Sequence, residues 1–115
     1  MSKTYVGRRD DDDNTLKVFV KQEDGSTKAL NPRYDLRNHS PIGFESGYNG
    51  SGPAQLALAI CADALGDDNK AQAVYQKFKF KIVAALSHTD GWELSEIKVL
   101  ETIRGLSEAE ALSAD

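Results

Sequence analysis

From Pro53 to Leu65 the chain reads Pro-Ala-Gln-Leu-Ala-Leu-Ala-Ile-Cys-Ala-Asp-Ala-Leu, and apolar residues fill almost every position. Alanine and leucine are strong helix formers. Proline suits the first turn, where its missing amide donor costs nothing, and Gly66 suits the residue just past the end. A helix that is apolar around nearly its whole circumference has to be enclosed on most sides, and its small alanines let neighbouring backbone come close. This one segment therefore fixes the architecture, because the rest of the chain must wrap it. Cys61 lies within it and reads as a small buried hydrophobe, with no neighbouring cation or histidine in sequence to activate the thiol.

The chain before this helix has the period of β structure. Thr4–Arg8 and Leu16–Lys21 read as strands, the second with Leu16, Val18 and Val20 on one face and Lys17, Phe19 and Lys21 on the other. Gln22–Ser26 supplies a turn, Thr27–Leu30 returns as a third strand, and Asn31-Pro32 ends the meander. Positions 31–52 are irregular, punctuated by Pro32, Pro41, Gly43, Gly47, Gly50 and Gly52, and carry Tyr34, Phe44 and Tyr48. A loop this long in a small domain is a place to expect function, and its aromatics argue that it packs.

Beyond Gly66, Asp67 or Asp68 caps a second helix expected to run to about Ser87, with a core stripe of Ala71, Val74, Tyr75, Phe78, Ile82 and Ala85 or Leu86. Lys70, Lys77 and Lys81 fall on one exposed side, with Lys79 out of line; this is either a solvated face or a contact for phosphate or an acidic partner. His88 is expected near the C-terminal end of that helix, where the dipole favours a cation. Asp90-Gly91 makes a turn and Trp92 anchors the corner. Ser95 then caps a third helix to about Arg104 that buries Ile97, Leu100 and Ile103 and stops at Gly105. Ser107-Glu108-Ala109-Glu110 has the pattern of a further capping box, with little after it to bury. The expectation is one α+β domain in which a small antiparallel sheet of about three strands packs on about three helices. Its parts are a β-rich 1–30, a long loop 31–52, a helical 53–106 and a flexible tail 107–115.

With 40% hydrophobic and 28% charged residues in 115, such a chain can bury roughly two-thirds of its unfolded surface. No apolar run approaches the ~20 residues needed to cross a bilayer. The first residues lack an apolar stretch behind their positive charge, and with a single cysteine the expected location is cytoplasmic. The net charge of −4 arises from 18 acidic against 14 basic residues. Asp10, Asp11, Asp12 and Asp13 account for it, since 18 − 4 leaves 14 against 14. Adjacent carboxylates repel one another and belong on a solvated loop between strands; the sharper readings are a cation site or an acidic patch for a basic partner. A calcium loop would need spaced ligands, a central glycine and a later glutamate. Two histidines and one cysteine are too few for a structural zinc site, so neither metal nor cofactor is called for. Without a broad basic field, direct nucleic-acid binding is not expected.

The turn Gly50-Ser51-Gly52 into the apolar helix has two readings. It is an anion cradle of unpaired amides, or a tight entry with Ser51 or Gly52 as the cap. It is not a Walker loop, which would continue with Lys and Ser or Thr. His39 beside Ser40 invites a hydrolase reading, yet adjacent residues on an extended chain point in opposite directions. Arg33, Arg37, His39 and Tyr48 could instead form a polar pocket over the helix start, or tie the loop down through hydrogen bonds. The candidate ligand-binding or interaction residues are therefore Arg33, Arg37, His39, Ser40, Tyr48, Ser51 and Gly52, with Asp10–Asp13 as an acidic patch.

The stretch from His39 to Ile60 contains the motifs Ser-Pro-x-Gly-Phe and Gly-Ser-Gly-Pro-Ala-Gln-Leu-Ala-Leu-Ala. With the spacing of Leu30, Pro32-Arg33 and Leu36 before it and Trp92-Glu93-Leu94 after it, it resembles a family of small bacterial, plasmid and phage proteins known as a domain of unknown function. Members often carry an aromatic where this chain has Ser46. The resemblance implies a mobile-element setting, in which small accessory proteins act by binding host enzymes or defence systems such as CRISPR. Two functions follow as expectations. The preferred one is a non-catalytic interaction protein that binds and modulates a host protein. The alternative is a binder or enzyme that takes a phosphate-bearing molecule at Gly50–Pro53 with Arg33, Arg37 and His39.

Overall fold

The computed structural model describes residues 2–40 and 43–113, with side chains as far as 106. Four antiparallel strands, β1 (Thr4–Arg9), β2 (Leu16–Lys21), β3 (Thr27–Ala29) and β4 (Trp92–Ser95), form one sheet in the order β3-β2-β1-β4. Three helices accompany it: α1 (Ser51–Leu65), α2 (Asp68–Lys81) and α3 (Glu96–Ser113). The α+β expectation holds, with one strand more than the sequence suggested.

The additional strand is Trp92–Ser95, expected only as a corner anchored by Trp92 after the Asp90-Gly91 turn and as a helix cap at Ser95. It pairs with the free side of β1, Leu94 opposite Tyr5 and Trp92 opposite Gly7. Four residues with partners 85 to 91 positions away carry too short an alternation to be read locally. The close approach is decided at Gly7: a Cβ there would lie 2.3 Å from Cε2 of Trp92, so the indole rests directly on the bare backbone of β1. Tyr5, Leu16, Val18, Val20, Trp92 and Leu94 form one buried face of the sheet and join the helices in a common core.

Helix α1 is buried without interruption from Gly52 to Ala62, as its composition demanded. Gly66 closes it with φ 65° and donates its amide to the Ala62 carbonyl. Its N-cap is Gly50, one residue before the expected Ser51 and two before the alternative Gly52, and Pro53 remains within the first turn. Cys61 is fully buried, and burial pushes its thiol pKa upward, away from reactivity. Near the other end of α1, Asp63 accepts the buried Tyr5 hydroxyl at 2.7 Å and pairs with Lys3 at 2.8 Å, fixing the helix to β1.

Helix α2 is capped by Asp67, whose side chain accepts the Lys70 amide. It stops at Lys81 rather than Ser87, because the chain tightens into a 3-10 turn over Val83–Ala85 that buries Val83. Ser95 caps α3 through the Lys98 amide as expected, but the buried stripe is Val99 and Ile103, whereas Ile97 and Leu100 face outward. The entry from β4 sets this phase: Leu94 is turned into the core, and the helix that follows rotates Val99 toward it. Gly105 does not take positive φ, so it does not cap the helix, and α3 passes through it and through Ser107-Glu108-Ala109-Glu110. Side chains beyond 106 and residues 114–115 lie outside the described ones, as does the expected flexibility of 107–115; Pro41 and Ile42 of the Ser-Pro-x-Gly-Phe motif also lie outside.

Candidate functional site

The long loop is stitched to the helices at two places. The first centres on Gln55, fully buried in α1. Its side-chain oxygen accepts the His39 amide at 2.7 Å and the Ser40 amide at 3.4 Å, while its nitrogen donates to the carbonyls of Pro32 at 2.6 Å and Arg37 at 3.0 Å. A single amide inside an apolar helix thus satisfies four loop backbone groups that would otherwise be buried unpaired. The sequence reading passed over Gln55; a polar residue at a position that must be buried is the signal that could have found it.

His39 extends this stitch. Its Nε2 lies 2.7 Å from the Tyr75 hydroxyl on α2, and Gln76 donates to that same hydroxyl oxygen at 3.2 Å. The ring and the hydroxyl are thus hydrogen-bonded, and the tautomer of His39 sets which of the two donates. Burial, then the charges of Arg37 and Lys79, hold its pKa below the ordinary value, so the neutral ring is favoured. The ring is thus engaged with Tyr75 rather than with the neighbouring Ser40.

Arg33 turns elsewhere. It sits at φ 59° and its guanidinium bonds Asp35 at 3.0 Å and both oxygens of Asp68, at 3.0 and 2.8 Å, at the start of α2. Both pairings hold its charge and raise its pKa. Arg37 contributes its carbonyl to Gln55, with an exposed side chain.

The second stitch joins 44–48 to the end of β1 and to the segment before β4. Arg9 and Glu45 form a two-pronged ion pair, one prong at 2.9 Å, and Arg9 Nε donates to the His88 carbonyl. The guanidinium holds the Glu45 carboxyl below the usual range, so the pair is ionised and neutral as a unit. Ser46 is fully buried, accepting from Trp92 Nε1 at 3.3 Å and donating to the Ser87 carbonyl at 3.0 Å. His88, beyond the end of α2 rather than on it, has Nδ1 at 2.9 Å from the Ser46 carbonyl. Since a carbonyl only accepts, the proton is on Nδ1, and the nearby Arg9 nitrogen at 3.5 Å is a neighbour and not a donor to it. The contacts of His88 replace the helix-dipole role expected for it. Tyr48 stands edge-on to His88, with ring centroids 5.6 Å apart.

These stitches leave a shallow hollow of about 220 Å³ at the start of α1, lined by Ser40, Phe44, Glu45, Tyr48, Ser51 and Gly52 among others. Of the sequence-selected residues it gathers Ser40, Tyr48, Ser51 and Gly52, while Arg33 and His39 are drawn toward α2. The cradle reading meets a packed floor: a Cβ on Gly52 would lie 2.7 Å from Cβ of Glu45, so a carboxylate-bearing side chain occupies the approach that an anion would use. Pro53 also removes one of the amides such a site relies on. Asp10–Asp13 form the β1–β2 turn. Asp10 accepts the Asp12 amide at 2.8 Å, and Asp13 accepts the Thr15 amide and hydroxyl at 3.0 and 2.7 Å, which lowers the Asp13 pKa. Among the described residues no group of three or more His, Cys, Asp or Glu is placed to hold a metal ion, and no helix is long and apolar enough to cross a membrane.

Residues 5–105 match the model of a family of unknown function, DUF6166. The chain belongs to that family. The matched span runs from the first strand into α3, and so takes in both stitches and the hollow. No curated protein and no solved structure matches the chain.

Proposed function

We propose that this member of the DUF6166 family is a non-catalytic interaction protein of phage or mobile-element type, which binds and modulates a host protein, with defence systems such as CRISPR among the targets. The observation that carries this reading is the use of the loop's polar groups. Gln55, His39, Ser46 and the Arg9–Glu45 pair spend their hydrogen bonds inward, tying the long loop to the helices and the sheet. The same bonding leaves aromatic surface outward: Tyr34, whose hydroxyl donates to the Ser40 carbonyl, is 39% exposed, and Tyr48, which lines the hollow, is 45% exposed. A loop held in this way and presenting tyrosines loses little conformational entropy on binding a protein surface.

Affinity capture from a bacterial lysate tests the reading. The intact chain should retain a specific protein that the Tyr34→Ala/Tyr48→Ala double variant retains at least tenfold less. Recovery of no protein by the intact chain would sink the proposal. The competing phosphate reading has the hollow in its favour, although its volume is below the ~300–1,000 Å³ usual for ligand pockets. A thermal-shift screen against nucleotides and phosphorylated metabolites decides it: stabilisation by one of them, lost in Ser51→Ala, would favour a ligand site.

A further inference from the structure

Helix α2 turns Ala71, Val74, Tyr75 and Phe78 inward, so the helical period puts Phe80 on the opposite side. Phe80 is 61% exposed, the most exposed of the large hydrophobic residues described. Lys70, Lys77 and Lys81 are exposed on the same outward side, and the ammonium of Lys79 reaches round to 4.5 Å from the Phe80 ring centroid. Beside this face a groove of about 400 Å³ lies against α3, lined by Lys81, Lys98, Glu101, Thr102 and Leu106 among others. Phe80 is the last residue but one of α2, an apolar ring left in solvent at the end of the helix. Three exposed lysines within twelve residues concentrate positive charge on a protein whose net charge is −4, whereas Lys79 is buried.

We infer that the outward face of α2 is a second docking surface, whose occupant is an acidic amphipathic segment of a partner protein, its apolar side chains meeting the Phe80 ring and its carboxylates meeting the lysines. This inference rests on the binding role proposed above but not on the loop surface. The charge of the helix selects the occupant. Lys70 and Lys81 pair with the carboxylates, while the Phe80 ring supplies a single desolvated anchor at the end of the helix. Single-stranded nucleic acid is the less suited partner, because stacking along a strand needs successive aromatic platforms and this face offers one ring.

The test uses the isotopically labelled full chain and three probes: an amphipathic peptide alternating Glu with Leu and Phe at helical spacing, a single-stranded DNA 20-mer, and the chain itself at rising concentration. The peptide should move amide resonances along Lys70–Lys81. That response should weaken at least tenfold in Phe80→Ala and in Lys70→Glu/Lys81→Glu, and should fall as salt rises. Circular dichroism of each variant, expected to match the parent, keeps loss of folding apart from loss of contact. The inference is overturned if the peptide leaves α2 unmoved, if the DNA binds this face more tightly, or if the chain alone produces the same shifts. A lysate protein captured equally by the parent and Phe80→Ala would also remove this face while leaving the binding role intact. Capture of nothing by the parent would remove the role itself.

Discussion

At the scale of single residues, Gln55 and His39 hold the loop by different physics. Gln55→Met keeps the volume but leaves two amides and two carbonyls of the loop without partners. At about 1–3 kcal/mol for each buried group left unpaired, and with partial relaxation toward water, the expected loss is about 3 kcal/mol. Urea unfolding measures it, and a loss under ~1 kcal/mol would show that the loop does not depend on this amide. His39 makes a pH-dependent contribution. Its folded pKa lies below the unfolded value, so the unfolded chain binds the proton more readily. Stability from this group is complete above about pH 6.5 and is lost as pH falls from there through the folded pKa. The melting temperature should therefore drop between pH 7.5 and 5.5, and His39→Gln should flatten that slope; an unchanged slope in the variant would assign the effect elsewhere.

At the scale of elements, the contact between β1 and β4 and the phase of α3 make the clearest claims. Gly7→Ala would place a methyl carbon 2.3 Å from Cε2 of Trp92, which must shift or tilt. Because the indole also holds Ser46 through Nε1, the change should disturb the second stitch as well. A loss of about 1–3 kcal/mol is expected, together with altered tryptophan fluorescence; a native emission spectrum at parental stability would contradict this packing. Gly105 behaves oppositely. It lies within α3, and a Cβ there would find no heavy atom within 4 Å. Gly105→Ala should stabilise by about 0.4–1 kcal/mol, read as a higher urea midpoint at unchanged slope.

At the scale of the whole molecule, sheet and helices share one apolar core that runs from Tyr5 through α1 to Ile103. The single-domain expectation then requires Trp92 fluorescence, which reports the β4 corner, and far-ultraviolet dichroism, which reports the helices, to follow one unfolding curve. Two separated midpoints would divide the chain into independently stable parts. Phe80 lies outside this core, and Phe80→Ala should alter stability by no more than about 0.5 kcal/mol.

Strands β1 to β3, the buried α1 and the caps at Asp67 and Ser95 were legible in the sequence. Each depends on neighbours a few residues away, through the alternation of Leu16, Val18 and Val20, the apolar run from Ala54, or a side chain reaching the next turn. Tertiary structure decided what depends on distant neighbours. Trp92–Ser95 became a strand because β1 offered an open edge and Gly7 a bare surface for the indole. Val99 replaced Ile97 and Leu100 in the core because β4 set the rotation of α3, and α2 ended early because Val83 is drawn inward. The candidate residues were dispersed for the same reason. Arg33 and His39 found partners on α2, while Ser40, Tyr48, Ser51 and Gly52 met at the hollow. Hydrophobic period is a local property of the chain, whereas the choice of hydrogen-bond partner belongs to whichever surface the folded core brings within reach.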